Sequence, residues 1–461
     1  MTRQTVHTLQ HSLLQGERAV VDIVTEALAR AEDVQKHCNA FTRLFAKEAL
    51  ERAREADRTL ALGKPMRPLD GIPVCIKDMT PIAGHPPSYG TWARAKCVDP
   101  GEAVIVSRLK RAGAIILGQT TTAELAFSSF TATERYGITR NPWEQDRTSG
   151  GSSGGSAVAV AAGVVPLAEG SDMGGSVRIP AAACGVVGMK PSLGRIPMDI
   201  LPTPCDTISH FGPIAASVQD AVTFLSVTAG HDPVDLLSQK RPFLTPETAP
   251  AALHGLRIAA SVDLGYCDVS QEVAEAFHEV LTRLRAQGAE VVEARLPWRR
   301  EVYDLWATHW NALLAAMAEE FEDISRMGTS LQHCLKQGRR VSARDLAEVG
   351  RLRKAMATDM RRIFATCDVF LSPTLARTAP SADKTDADFE GDLPNGKFHA
   401  FDMAHPFNML AAYPAISMPV RLSGSMPVGI QIVGPVYEDE RTLALAGAFE
   451  QIFPPLPLPI F

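Results

Sequence analysis

The sequence predicts an α/β fold, a β-sheet covered by helices on both faces, and three observations carry that prediction. Segments with apolar residues at helical spacing alternate along the chain with short apolar runs of strand length. Those runs are apolar throughout rather than every second residue, as strands buried on both faces require. The composition of the 461 residues, 46% apolar and 21% charged, is that of a globular chain with a sizeable core.

The elements follow in order. Ala19 to Ala31 and Ala46 to Leu62 read as helices, with charged residues between the apolar ones. Ile72 to Lys77 reads as a strand, Glu102 to Ala112 as a helix, and Ala114 to Leu117 as a compact strand ended by Gly118. Thr148 to Gly188 is dense in glycine, serine and alanine, a texture common in flexible linkers. The apolar residues Val158 to Ala161 and Val164 to Ala168 would not be carried by a solvated linker, so the stretch reads as core in which backbones approach closely. Leu256 to Ser261 is the next strand. Ser270 then caps a helix that runs to about Gln287 and stops at Gly288. Val291 to Leu296 reads as a strand, and residues 300 to 365 as charged helices. Asp368 to Leu371, Ala415 to Val420 and Val428 to Val433 read as strands, and Glu440 to Glu450 as a helix. Ser381 to Lys397, polar and rich in aspartate, reads as a surface loop.

Several function classes are disfavoured. The formal net charge is -6 and no basic stripe appears, so neither nucleic acid nor an anionic membrane is an expected partner. The run Ala157 to Ala168 is too short to span a bilayer and is broken by Gly163 and Pro166. The N-terminal residues lack the apolar centre of a signal peptide. The eight cysteines, Cys38, Cys75, Cys97, Cys184, Cys205, Cys267, Cys334 and Cys367, form no CxxC pair and no zinc-type spacing with histidine. The expectation is a cytoplasmic protein with no metal site and no cofactor.

Two glycine-serine clusters stand out: Gly150 to Ser156, and Gly170 to Arg178. Neither ends in the Gly-Lys-Ser/Thr of a phosphate-binding loop, and neither holds GxGxxG. The other use of such a loop is an oxyanion hole, in which fixed backbone N–H groups stabilise the charge that acyl transfer builds on a carbonyl oxygen. Met173, Gly174, Gly175 and Ser176 are the candidate donors. Pro180 suits the first turn of a helix starting just after Ser176, whose dipole would add to the field. Ser176 is then a candidate nucleophile, which needs a base. None of the twelve histidines is tied to it by a local pattern, and the GxSxG elbow is absent. Lysine serves as a base where burial lowers its pKa from about 10.4 towards neutrality. Lys77 directly follows an apolar strand. Taken alone, a lysine so placed more often carries its ammonium to water.

The second cluster, extended through Ile179-Pro180-Ala181-Ala182, together with Gly151-Ser152-Ser153-Gly154-Gly155-Ser156, resembles the amidase signature family. Gly71-Ile72-Pro73-Val74-Cys75-Ile76-Lys77-Asp78 is similar to that family's lysine segment. The likeness continues in order through Gly118-Gln119-Thr120, Tyr136 to Trp143, Ser372-Pro373-Thr374, Pro406-Phe407-Asn408, Pro414 to Ser417 and Pro427 to Gln431. The resemblance implies a single large domain with a mixed, twisted central sheet. N-terminal helices would occupy residues 1–65, the signature core about 66–220, and the remainder 221–461.

It also implies a Ser-Ser-Lys triad: Ser176 as nucleophile, Lys77 as base, and Ser152 as the bridging serine in a cis peptide. Backbone N–H groups of Met173, Gly174, Gly175 and Ser176 would hold the oxyanion, while Ser153, Asp172 and Arg178 brace the loops. The implied activity is hydrolysis of a small-molecule amide through an acyl-enzyme. Aliphatic amides, aryl amides, ureas and carbamate-like substrates are all open. Many relatives have threonine where this chain has Met173, which points to a more apolar pocket.

Two alternatives stand beside it. One is the glutaminase component of glutamyl-tRNA amidotransferase, in which an aspartate before the Pro-x-Asn segment holds the glutamine amino group. Phe401 occupies that position here, with Asp402 one residue away. The other is a non-catalytic scaffold, against which the retained Lys77, Ser152 and Ser176 argue. No sequence signal specifies oligomeric state; a homodimer is the expectation.

Overall fold

The computed structural model describes residues 3–97, 101–203, 206–246 and 253–460. Among them, eleven strands form one mixed sheet, numbered within it as β1 (Phe41–Leu44), β2 (Pro73–Lys77), β3 (Ile115–Thr120), β4 (Leu167–Asp172), β5 (Val187–Lys190), β6 (His210–Ala215), β7 (Arg257–Ala260), β8 (Glu290–Glu293), β9 (Val369–Pro373), β10 (Ala415–Ser423) and β11 (Met426–Val433). The order across the sheet is β1-β3-β2-β4-β6-β5-β10-β11-β9-β7-β8. β2 runs parallel to β3 and β4, and β7 parallel to β8 and β9; the other neighbours are antiparallel.

Helices cover both faces. Val74, Ile76, Leu167 and Phe211 join a core with the helices Val104–Arg111, Val218–Thr228, Gln271–Ala286 and Asp439–Ile452. Cys75, Leu117, Ala168 and Ile214 join another with Val20–Cys38, Ala46–Ala61, Gly154–Ala161 and Arg178–Cys184. Strand side chains alternate between faces, so Lys77 falls on the side of Cys75, towards the small-residue helix Gly154–Ala161. No helix of the described residues is long and apolar enough to cross a membrane.

The α/β class and the two-sided cover agree with the sequence reading, and several details differ. The first helix continues to Cys38, where Asn39 in the left-handed conformation ends it. β1 lies between the two stretches read as N-terminal helices, in a region expected to be helical. β4, β5 and β6, at the middle of the sheet, lie in segments not read as strands. Small helices press so close to these strands that glycine and polar residues replace bulky apolar ones. A Cβ on Gly188 of β5 would lie 2.5 Å from the Ala181 Cβ. β8 stops at Glu293, short of the expected Leu296. Ser270 occupies the helix N-cap but makes no side-chain capping bond.

Ser381 to Lys397 is not a plain surface loop. Its Asp386 carboxylate accepts hydrogen bonds from Ser128 Oγ at 2.6 Å and Ser129 N at 3.0 Å. Phe389 packs between Phe130 and Phe401. Seven cysteines are free, and Cys205 lies outside the described residues.

Candidate active site

Three backbone segments converge at one end of the parallel strands. β2 delivers Lys77, the turn before the helix Gly154–Ala161 delivers Ser152 and Ser153, and β4 runs through Ser171 and Asp172 into the turn Met173 to Ser176. The Lys77 amine is wholly buried. Its Nζ lies 2.7 Å from Ser152 Oγ and 3.0 Å from Ser171 Oγ. The Gly151–Ser152 peptide is cis. The main-chain N–H of Lys77 donates to the Glu169 carboxylate at 2.9 Å, and Thr80 Oγ1 donates to the same group at 3.0 Å. Burial lowers the Lys77 pKa to about 7, against the opposing pull of Glu169 and Asp172. Burial likewise raises Glu169. The two titrate as a coupled pair, in which the amine loses its proton far more readily than a solvated lysine does.

Ser176 sits at the boundary between this buried chain and a cavity, with 7% of its surface exposed. Its carbonyl accepts the Ser153 N–H at 3.2 Å, and Ser153 Oγ donates to the Ser171 carbonyl at 3.4 Å. Ser153 thus ties the two glycine-serine turns together. Asp172 organises the second turn. Its fully buried carboxylate accepts from Gly175 N at 2.7 Å, Val177 N at 3.2 Å, Arg178 Nε and Nη2 at 3.0 Å each, and Asn408 Nδ2 at 2.9 Å. Arg178 also donates to Asn408 Oδ1, Gln431 Oε1 and the Ala404 carbonyl. Burial opposes the Asp172 charge, but the Arg178 guanidinium outweighs it and holds the carboxyl well below the usual range.

Removing one partner of such a buried pair strands the other charge. Asp172→Asn is therefore expected to destabilise the protein by about 3–5 kcal/mol, measured by calorimetry. An unchanged unfolding temperature would reject the bracing role.

Two expectations need correction. The Gly175 N–H is already committed to Asp172, so it is not open to an oxyanion. Met173, Gly174 and Ser176 N–H have no protein acceptor among the described residues. Gly175 serves instead through its shape: its φ is +123°, and a Cβ there would lie 2.6 Å from the Ala404 Cβ. The following helix starts at Arg178, not directly after Ser176, and has only seven residues, so its dipole is not invoked.

The cavity beside Ser176 encloses about 1070 Å³ and opens to solvent. Met173, Phe127, Trp306, Trp310, Phe398 and Phe401 give it apolar and aromatic walls, with Asp386, Glu390, Asp402 and His405 among them. Sequence reasoning did not find Glu169, Ser171 or Trp306. Glu169 and Ser171 left a faint signal as alternate polar residues in a buried run. Trp306 left none, because its contact with Met173 spans more than a hundred residues.

The comparisons with known proteins agree with this arrangement. A family model described as Amidase matches residues 22–443. An acylamidase of Rhodococcus erythropolis is 33% identical, over 98% of this chain and 97% of that protein. The glutamyl-tRNA(Gln) amidotransferase component of the same family from Microcystis aeruginosa is 32% identical, over 97% of each. The crystal structure of a bacterial aryl acylamidase of the amidase signature family superimposes with a TM-score of 0.89 at 26% identity, covering 98% of this chain and 97% of that one. Likeness from end to end, in sequence as well as fold, shows that this chain belongs to the amidase signature family of enzymes acting on carbon–nitrogen bonds.

Proposed function

We propose that this enzyme hydrolyses the amide bond of a small molecule through an acyl-enzyme on Ser176, with Lys77 as base and Ser152 as the proton bridge. The observation that carries this reading is the wholly buried Lys77 amine, 2.7 Å from Ser152 Oγ. An uncharged amine is a base where an ammonium is not, and burial makes the uncharged form available near neutral pH. Ser176 Oγ attacks the amide carbon as its proton passes to Ser152, whose own proton passes to Lys77. The oxyanion is met by backbone N–H groups of the 173–176 turn, with Gly174 and Ser176 as the principal donors. The relay then returns a proton to the departing amine, since an amine anion is too poor a leaving group. Water attacks the acyl-enzyme by the same route and releases the carboxylate. No metal or cofactor enters this scheme.

The aromatic walls support an amide with an aromatic or bulky apolar group, and aryl ureas or carbamates fit the same chemistry. The likeness to the amidotransferase component favours a second reading, glutamine hydrolysis in an amidotransferase. Against it stands Phe401, whose ring lies 5.3 Å from that of Phe130 in the cavity wall, where the glutamine-binding aspartate of that enzyme would be expected. The free cysteines support a reducing, cytoplasmic location.

A panel of aryl amides, aliphatic amides, amino-acid amides, aryl ureas and glutamine tests the substrate assignment. The purified protein is expected to turn over aryl amides with the highest kcat/KM. A higher value for glutamine than for every aryl amide would transfer the assignment to the amidotransferase reading.

A further inference from the structure

Helix Glu301–Ala318 places Tyr303, Trp306 and Trp310 on one side, at spacings of three and four residues, and all three line the cavity. The Trp306 indole N–H donates to the Met173 carbonyl at 3.0 Å. The Met173–Gly174 bond is a trans peptide, the only cis bond among the described residues being Gly151–Ser152. In a planar trans peptide the C=O and N–H point in opposite directions. Anchoring the Met173 oxygen therefore also fixes where the Gly174 N–H points. The six-membered part of the same indole covers Gly174: a Cβ there would lie 2.2 Å from Trp306 Cζ2, 2.8 Å from Cε2 and 3.1 Å from Cη2. Trp306 is itself wedged in place. Its ring lies 5.7 Å from that of Tyr303 and 5.5 Å from that of His405. His405 is held by the Tyr266 hydroxyl at 2.9 Å and by Asp402 at 3.3 Å.

We propose that Trp306 is a positioning residue for catalysis, its indole holding the Met173–Gly174 peptide plane so that the Gly174 N–H is set in advance for the oxyanion. The proposal rests on Ser176 being the nucleophile and on the 173–176 turn being the oxyanion site. Hydrogen-bond donors stabilise a transition state without reorganisation only if something else fixes them. Asp172 does so for the Gly175 end of the turn, and Trp306 does so for the Met173 end. A glycine-rich turn with an unanchored first peptide would sample orientations that waste the donor.

Trp306→Phe keeps an aromatic wall and removes the N–H. The expected result is a fall of about tenfold to a hundredfold in kcat with KM little changed, somewhat less than the loss of an oxyanion donor outright. Affinity for a peptidyl or aryl aldehyde, which forms a tetrahedral adduct with serine, should fall by the same factor, and affinity for the carboxylate product should not. Benzothienylalanine placed at position 306 replaces N–H by sulfur without changing shape. It should reproduce the defect, and it serves as the test if the phenylalanine variant folds poorly. Gly174→Ala should be severe in the wild type and milder in Trp306→Phe, because the clash is with the indole itself.

Unchanged kcat and aldehyde affinity would overturn the proposal. So would a loss confined to KM with product affinity falling in step, which would make Trp306 only a wall of the pocket. If Trp306→Phe is fully active while Ser176→Ala is dead, the positioning role fails and the nucleophile stands. An aldehyde that forms no adduct with wild-type Ser176 would overturn the nucleophile reading, and this proposal with it.

Discussion

Replacing Ser176 by alanine is expected to lower kcat by a factor on the order of 10⁶ while leaving a folded protein. The size of the effect follows from its being the atom that forms the covalent bond. Without Oγ, the amine of Lys77 and the hydroxyl of Ser152 have nothing to activate, and the donors of the turn can only polarise a carbonyl that water must attack unaided. The fold should persist because the structural bond made by this residue, from Ser153 N to the Ser176 carbonyl, belongs to the backbone. Steady-state assays check the rate, and mass spectrometry of quenched reactions checks the adduct. Wild type should carry the acyl group on the peptide containing Ser176, and the variant should carry none. A variant within tenfold of the wild-type rate would remove Ser176 from the mechanism.

Lys77→Met is expected to produce the second largest loss, about 10²–10⁴-fold in the acylation rate, the usual share of a general base. Methionine suits a fully buried site and nearly matches the volume, so packing should survive. The hydrogen bonds to Ser152 and Ser171 would be lost, at about 1 kcal/mol each. Stopped-flow acylation at several pH values separates this from simple destabilisation. The variant should be slow at every pH and should have lost the rise in rate that deprotonation of the lysine gives the wild type. Near-wild-type acylation would exclude Lys77 as the base.

The strands and helices that surround the site were far more legible than the site's own scaffold. β2, β7, β9, β10 and β11 are runs of bulky apolar residues, and the eye finds them without help. β4, β5 and β6 carry glycine, serine, lysine and histidine because helices of alanine and glycine press against them and because β4 must present Glu169, Ser171 and Asp172. The features that make this region chemically capable are those that erase its strand signal. Spacing alone could not bring Lys77 and Ser152 together across 75 residues, and elementary physics sent the lysine to water. It was the resemblance to the amidase signature family that linked Lys77, Ser152 and Ser176. The anchors Asn408 and Gln431 lay in segments carrying the same resemblance, yet their bonds to Asp172 and Arg178 span more than two hundred residues. Trp306 belongs to no such segment, and only the folded chain reveals it.

The central claim is that an uncharged amine at residue 77 drives acylation. Its most direct test is the single-turnover acylation rate of the wild-type enzyme from about pH 5 to pH 9, over which the protein is shown to stay folded. The buried amine is protonated below its pKa of about 7 and neutral above it, so the rate should rise through a midpoint near pH 7 to a plateau. A rate that is flat across that range, or that falls as pH increases, would contradict the account.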